Sequence, residues 1–111
     1  MPPLRSTGTV LVLTTLDAAA DGTAFARALV EERLAACASL LPGLTSIYRW
    51  EGGVEEAREQ QVILKTSSER LTALEARVRE LHPYEVPEFV VLDAVASQAY
   101  GAWLEASTSR A

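Results

Sequence analysis

The chain holds one cysteine, one histidine and one lysine. Each scarcity excludes something. With Cys37 alone there is no intrachain disulfide framework. With His82 alone there is no paired-histidine motif, and neither C-x-x-C nor EF-hand spacing occurs. A closed zinc-type site takes about four ligands from Cys, His and carboxylate, so one chain cannot build a conventional one from soft ligands. Positive charge is short as well: ten basic residues stand against fifteen acidic ones, for a net charge of −5. That balance is the opposite of a nucleic-acid footprint. No apolar run approaches the ~20 residues of a membrane span. The opening "MPPLRSTG" lacks the apolar core of a signal peptide. The expectation is a cytoplasmic protein that partners neither nucleic acid nor membrane. Nucleophile-elbow, P-loop and dinucleotide-binding glycine motifs are missing too. No activated nucleophile or acid/base pair is visible, so no enzyme is expected.

What is present is enough for one domain, 1–111, with an ordered core at about 8–107. The chain is 49% hydrophobic and 23% charged, ordinary for a soluble globular protein. A chain this short buries a modest fraction of its surface, and oligomerisation would help it. Nine arginines and many alanines suggest a GC-rich coding bias. A lone Lys65 under that bias marks a place where arginine does not fit.

The apolar run 8–16 reads as a buried strand. Residues 17–23 form a turn with Asp21 and Thr23 as candidate N-caps. Residues 23–36 read as a helix with Phe25, Leu29 and Leu34 on its apolar face. Residues 37–53 are a second strand, interrupted at Pro42-Gly43 by a bulge or bend. Glu51-Gly52-Gly53 signals a hairpin turn, and 54–67 returns as a third strand. A second helix over 69–82, capped by Ser67 or Ser68, carries a stripe of Leu71, Leu74, Val78 and Leu81. Pro83 stops it, because the residue before a proline avoids the α region. A fourth strand covers 88–95, and a last helix, 97–107, starts at a Ser97 cap.

The order β-α-β-β-α-β-α predicts an α+β domain. Its first six elements are the ferredoxin-like split arrangement, a four-stranded antiparallel sheet with both helices on one face, followed by an extra C-terminal helix. The arms of the central hairpin run to more than twice the usual ~5–6 residues of a strand. A protruding apolar arm with open edges needs a partner, and the simplest is another copy of the chain.

Few residues offer chemistry. His82 sits in the stiff stretch "LHPYEVPEF". It is a metal ligand when copies meet by symmetry, or with Glu85 or Glu88 in a looser site. Otherwise it is a helix C-cap whose imidazole meets the last carbonyls. Cys37, between two alanines, is a ligand or a small buried hydrophobe. Glu59, Gln61 and Lys65 share a parity on the third strand and point to one face. Lys65 there binds an anion or forms a surface ion pair.

Taken together, "AACASLLPGLTSIYRWEGGVEE", "ILKT", "HPYEVPE" and the pair Tyr100 and Trp103 resemble the CutA family, the divalent-cation tolerance proteins, from about residue 10 to 107. The resemblance implies a ferredoxin-like fold and a homotrimer whose long hairpins pair between subunits, similar in architecture to the PII signalling proteins. It implies a response to divalent metal, copper above all, with Cys37 and His82 as ligands. It also implies a cleft between subunits formed by Tyr48, Trp50, Glu59, Lys65, Tyr84, Glu85, Glu88 and Trp103. The chain departs from some members at Thr14 and Leu81, where they carry a cysteine and a second histidine, and at Asp93, where many carry proline. Two functions follow: weak divalent-metal binding within a metal response, or a PII-like trimeric sensor that takes a small anion at the cleft. A scaffold that only assembles is a third.

Overall fold

The computed structural model describes residues 6–110; the N-terminal reading given above falls largely outside them. Strand β1 (Ser6–Asp17) is followed by helix α1 (Gly22–Glu31), the hairpin β2 (Cys37–Trp50) and β3 (Gly53–Ser67), helix α2 (Leu71–Leu81), strand β4 (Val90–Ala96) and helix α3 (Gln98–Thr108). The strands lie in the order β2-β3-β1-β4. Every neighbouring pair is antiparallel. This is the expected ferredoxin-like sheet with one helix added at the C-terminal end.

Period-two alternation sorts the sheet residues. On one face Val12, Leu16, Val62 and Leu64 are fully buried, and they form a single core cluster with Phe25 and Leu29 of α1 and Leu74 and Val78 of α2. The opposite face carries Leu11, Leu13, Ile63, Val90 and Leu92 as cross-strand neighbours. Helix α3 covers one end of that second face, where Thr108 Oγ1 donates to Ser67 Oγ at 3.1 Å. The rest is open: Val90 and Leu92 are 46% and 44% exposed.

Helix α1 is shorter than its composition suggests. Asp21 caps it by accepting from the Ala24 amide at 3.0 Å. It ends at Glu31 rather than 36, because Arg33 adopts a left-handed conformation, φ 60°, and turns Leu34 and Ala35 back so that both amides reach the Leu29 carbonyl. Helix α2 is preceded by a 3-10 turn over Ser68–Arg70. Neither serine caps it with a side-chain bond; the Ser67 hydroxyl is engaged by Thr108 instead. Ser97 does cap α3, accepting from the Tyr100 amide at 3.2 Å.

The hairpin turns over two residues, since Trp50 pairs with Gly53. Glu51 and Gly52 both have positive φ, 49° and 80°, the type I′ pattern that matches strand twist. Nearer the body, Leu41 pairs with Gln61 but Leu44 with Glu59. Strand β2 therefore advances three residues while β3 advances two. The extra residue is a bulge, and Gly43 within it has φ 72°. Its consequence is a change of face. Before the bulge the odd residues Cys37, Ser39 and Leu41 lie on the open side. After it the even residues Leu44, Ser46, Tyr48 and Trp50 do.

Candidate functional site

Helix α2 ends because Pro83 follows His82, whose backbone is extended at φ −81°, ψ 131°. Its amide still closes the helix on the Val78 carbonyl at 2.8 Å. His82 is thus the C-cap of α2 through its backbone, but the expected contact of its imidazole with the last helix carbonyls is corrected. The imidazole points across to β1, where Nε2 meets the Thr15 carbonyl at 2.6 Å. Nδ1 accepts the Tyr84 amide at 3.1 Å. A carbonyl can only accept and an amide can only donate, so the ring is neutral with its proton on Nε2. It is 6% exposed, edge-on to Phe25 at 5.8 Å and tilted against Tyr84 at 4.7 Å.

That contact positions the rest of the connector. Tyr84 donates its hydroxyl to Glu59 Oε2 at 2.7 Å. Burial, and then the Glu59 carboxylate, push the phenol well above the ordinary tyrosine range; Asp17 and Tyr48 are near enough to add to the shift. Glu59 itself is buried on β3. Two residues along, Gln61 Nε2 donates to the Thr14 carbonyl at 2.6 Å and to Glu88 Oε2 at 3.2 Å. The connector is thus tied to the β1 backbone at His82 and to open-face side chains at Tyr84 and Glu88. Glu85 faces away and lines a groove of about 350 Å³ with Arg79, Val86 and Phe89.

A second cluster occupies the other end of the face. Lys65 pairs with Cys37 on one side and Leu11 on the other. Its ammonium lies 5.7 Å from the centre of the Tyr100 ring, within cation–π range. The rings of Tyr100 and Trp103 stand 5.3 Å apart. Cys37 is a free, partly exposed thiol.

The residues expected to share one cleft therefore divide within a protomer. Tyr48, Glu59, His82, Tyr84 and Glu88 gather at the connector. Cys37, Lys65 and Trp103 gather under α3. Trp50 stands out on the hairpin arm, 44% exposed. Glu59 and Lys65 are six residues apart on one strand, about 20 Å at strand rise. Cys37 lies level with Lys65 and His82 reaches the strand pair level with Gln61, about 13 Å away by the same rise. Among the described residues, no group of three or more His, Cys, Asp or Glu is arranged to hold a metal ion. Gln61 and Tyr100 belong to the two clusters but were absent from the expected cleft. Strand parity signalled the first. Nothing in the sequence signalled the Thr15 carbonyl as the partner of His82.

Comparison with known proteins agrees with this architecture. The family model described as CutA1 divalent ion tolerance protein matches residues 10–107. The divalent-cation tolerance protein CutA of Thermus thermophilus is 46% identical over 99 residues, covering 88% of this chain and 96% of that protein. Its counterpart in Escherichia coli is 42% identical over 103 residues, 92% of each. Among solved structures, the Thermus thermophilus divalent cation tolerance protein superposes with a TM-score of 0.86 at 45% identity, covering 91% of this chain and 99% of that one. CutA from Synechococcus elongatus superposes at 0.89 and 38% identity, covering 97% and 96%.

Proposed function

The chain belongs to the CutA1 divalent ion tolerance family, and on that premise we propose that it serves divalent-cation tolerance as a homotrimer with weak, copper-type metal contact. Family membership across 10–107 carries the reading. The trimer is supported by the open sheet face and the hairpin. Leu41, Val90, Leu92, Tyr48 and Trp50 are all exposed and share that face, a contiguous apolar surface of the kind that marks an interface. Strands β2 and β4 are also free edges, open to strand addition. Light scattering on the purified protein should give a trimer mass; a monomer mass overturns it.

The donor set of one protomer does not fit a closed metal site. His82 has both ring nitrogens engaged, and Cys37 lies too far away to share an ion with it. Metal contact therefore draws on more than one copy, with Cys37 thiols or with His82 released from Tyr84. Intrinsic affinity favours copper among first-row divalent ions. Copper and zinc titrations of the wild type, Cys37→Ser and His82→Ala test this. Loss of stoichiometry in either variant is expected, and unchanged binding in both removes the His/Cys reading.

A second reading is favoured by one observation. Lys65 has no ion pair among the described residues, yet it sits on a largely apolar face beside two aromatic rings. A PII-like sensor or adaptor that takes a small anion there, at a cleft between subunits, gives Lys65 its counter-charge. A stabilising metabolite in a thermal-shift screen, lost on Lys65→Ala, is the expected result. A broad screen without any such hit counts against it.

A further inference from the structure

We infer that the Lys65 end of the open face recognises a planar ring bearing an anionic group, rather than a small anion of any shape. The inference rests on the anion reading of Lys65 and names the ligand class for it.

Charge decides which end of the face can hold an anion. At the connector end the polar groups are the carboxylates of Glu59, bonded by the Tyr84 hydroxyl, and of Glu88, bonded by the Gln61 carboxamide. Those groups repel an anion. At the α3 end two cations stand without ion pairs, although α3 also carries Glu105. Lys65 Nζ lies over the Tyr100 ring. Arg33 Nη1 donates to the Ala106 carbonyl at 3.3 Å, one helical turn from Trp103. Neither cation has a carboxylate partner among the described residues.

The aromatic pair adds shape. Tyr100 and Trp103 sit one turn apart on α3, 37% and 47% exposed, with their rings inclined at 46°. They form an inclined wall beside Lys65. A planar ring stacks on such a wall with a geometric preference beyond mere burial. A charged group on that ring then reaches Lys65, whose bond to an anion is of the stronger, charge-assisted kind. An aromatic carboxylate and a phosphorylated heterocycle share this chemistry.

Calorimetric titration of the full-length assembled protein tests it, with benzoate, cyclohexanecarboxylate and acetate as probes. Benzoate should bind about threefold to tenfold tighter than cyclohexanecarboxylate, which has the same charge and similar size without a π face. Lys65→Met should weaken benzoate by about tenfold or more. Trp103→Leu should bring benzoate down to the affinity of cyclohexanecarboxylate while leaving both measurable, and it serves as an independent arm if Lys65→Met disturbs assembly. Adenosine monophosphate in place of benzoate distinguishes a phosphorylated heterocycle from a carboxylate. If benzoate and cyclohexanecarboxylate bind equally and both are lost in Lys65→Met, the ring inference falls while the anion reading stands. If no probe binds the wild type, both fall.

Discussion

Tyr84 and Glu59 are joined by a 2.7 Å hydrogen bond that runs from the connector after α2 to the middle of β3. Twenty-five residues separate them in the chain, and one bond fixes the position of the connector against the sheet. The Glu59 carboxylate is buried, and Tyr84 is the side chain that satisfies it.

Removing that donor should therefore cost more than the bond. Tyr84→Phe leaves a buried carboxylate oxygen without its partner, and the expected loss is about 1–3 kcal/mol. Urea denaturation measures it. Glu59→Gln retains an acceptor for the hydroxyl and should cost less; an equal or larger loss in Glu59→Gln contradicts the argument.

The same bond predicts a pH effect with a definite sign. The folded-state phenol is raised above its usual value, first by burial and then by Glu59. A group raised in this way contributes stability that is complete below its unfolded pKa, ~10 for tyrosine, and is lost as pH rises above it. Stability should fall between about pH 10 and higher values, and the fall should be shallower in Tyr84→Phe. Parallel slopes for the two proteins in alkaline melts would exclude Tyr84 as the source.

Thr14 offers the opposite case. Its side chain is fully buried on β1 and Oγ1 has no hydrogen-bond partner. Thr14→Val replaces an orphaned hydroxyl by a methyl of similar shape. A gain of about 1 kcal/mol is expected, read as a higher melting temperature at unchanged oligomeric state.

Gly22 opens α1 in a space with no room for a side chain. A Cβ there would stand 2.7 Å from Leu40 Cδ2 and would overlap the carboxamide of Gln60. Gln60 Nε2 holds the carbonyls of Asp17 and Ala20 at 3.1 and 3.0 Å, so displacing it loosens the β1–α1 turn. Gly22→Ala should destabilise by about 1–3 kcal/mol, despite the better helix propensity of alanine. An unchanged or raised midpoint in denaturant refutes it.

The bulge at Pro42-Gly43 makes a prediction about assembly. Because the extra residue sets Tyr48 and Trp50 on the open side, Tyr48→Glu with Trp50→Glu puts charge on that surface without touching the core. The expected result is a folded protein with native far-ultraviolet circular dichroism and a lower mass by light scattering. A double variant with undiminished mass would mean that the hairpin arm does not form the interface.

Much of this protein follows from short-range patterns. The apolar alternation of β1 and β3, the stripe of α2, the stop at Pro83 and the Ser97 cap are local rules, and local rules are legible in one dimension. Period two sets the faces of a strand and period 3.6 the faces of a helix. The order of elements then leaves few ways to form one sheet. The shared parity of Glu59, Gln61 and Lys65 was legible for the same reason. The early end of α1 was not, because it depends on Arg33 adopting a positive φ that composition does not encode. Nor was the fate of the Ser67 hydroxyl, which Thr108, 41 residues away, draws from its expected cap.

The candidate site was legible as a set of residues and illegible as a place. Local sequence determined that His82, Tyr84 and Glu88 sit in a stiff connector and that Glu59 and Lys65 share a face. Tertiary structure alone decided that His82 spends both ring nitrogens on the protein itself, and that the polar residues form an acceptor-rich end and an end where Lys65 lies over an aromatic ring. The reason is register. Hydrogen bonds between distant strands set how far β1, β2 and β3 slide past one another, and the single extra residue at the bulge decides which side of the sheet the hairpin aromatics join.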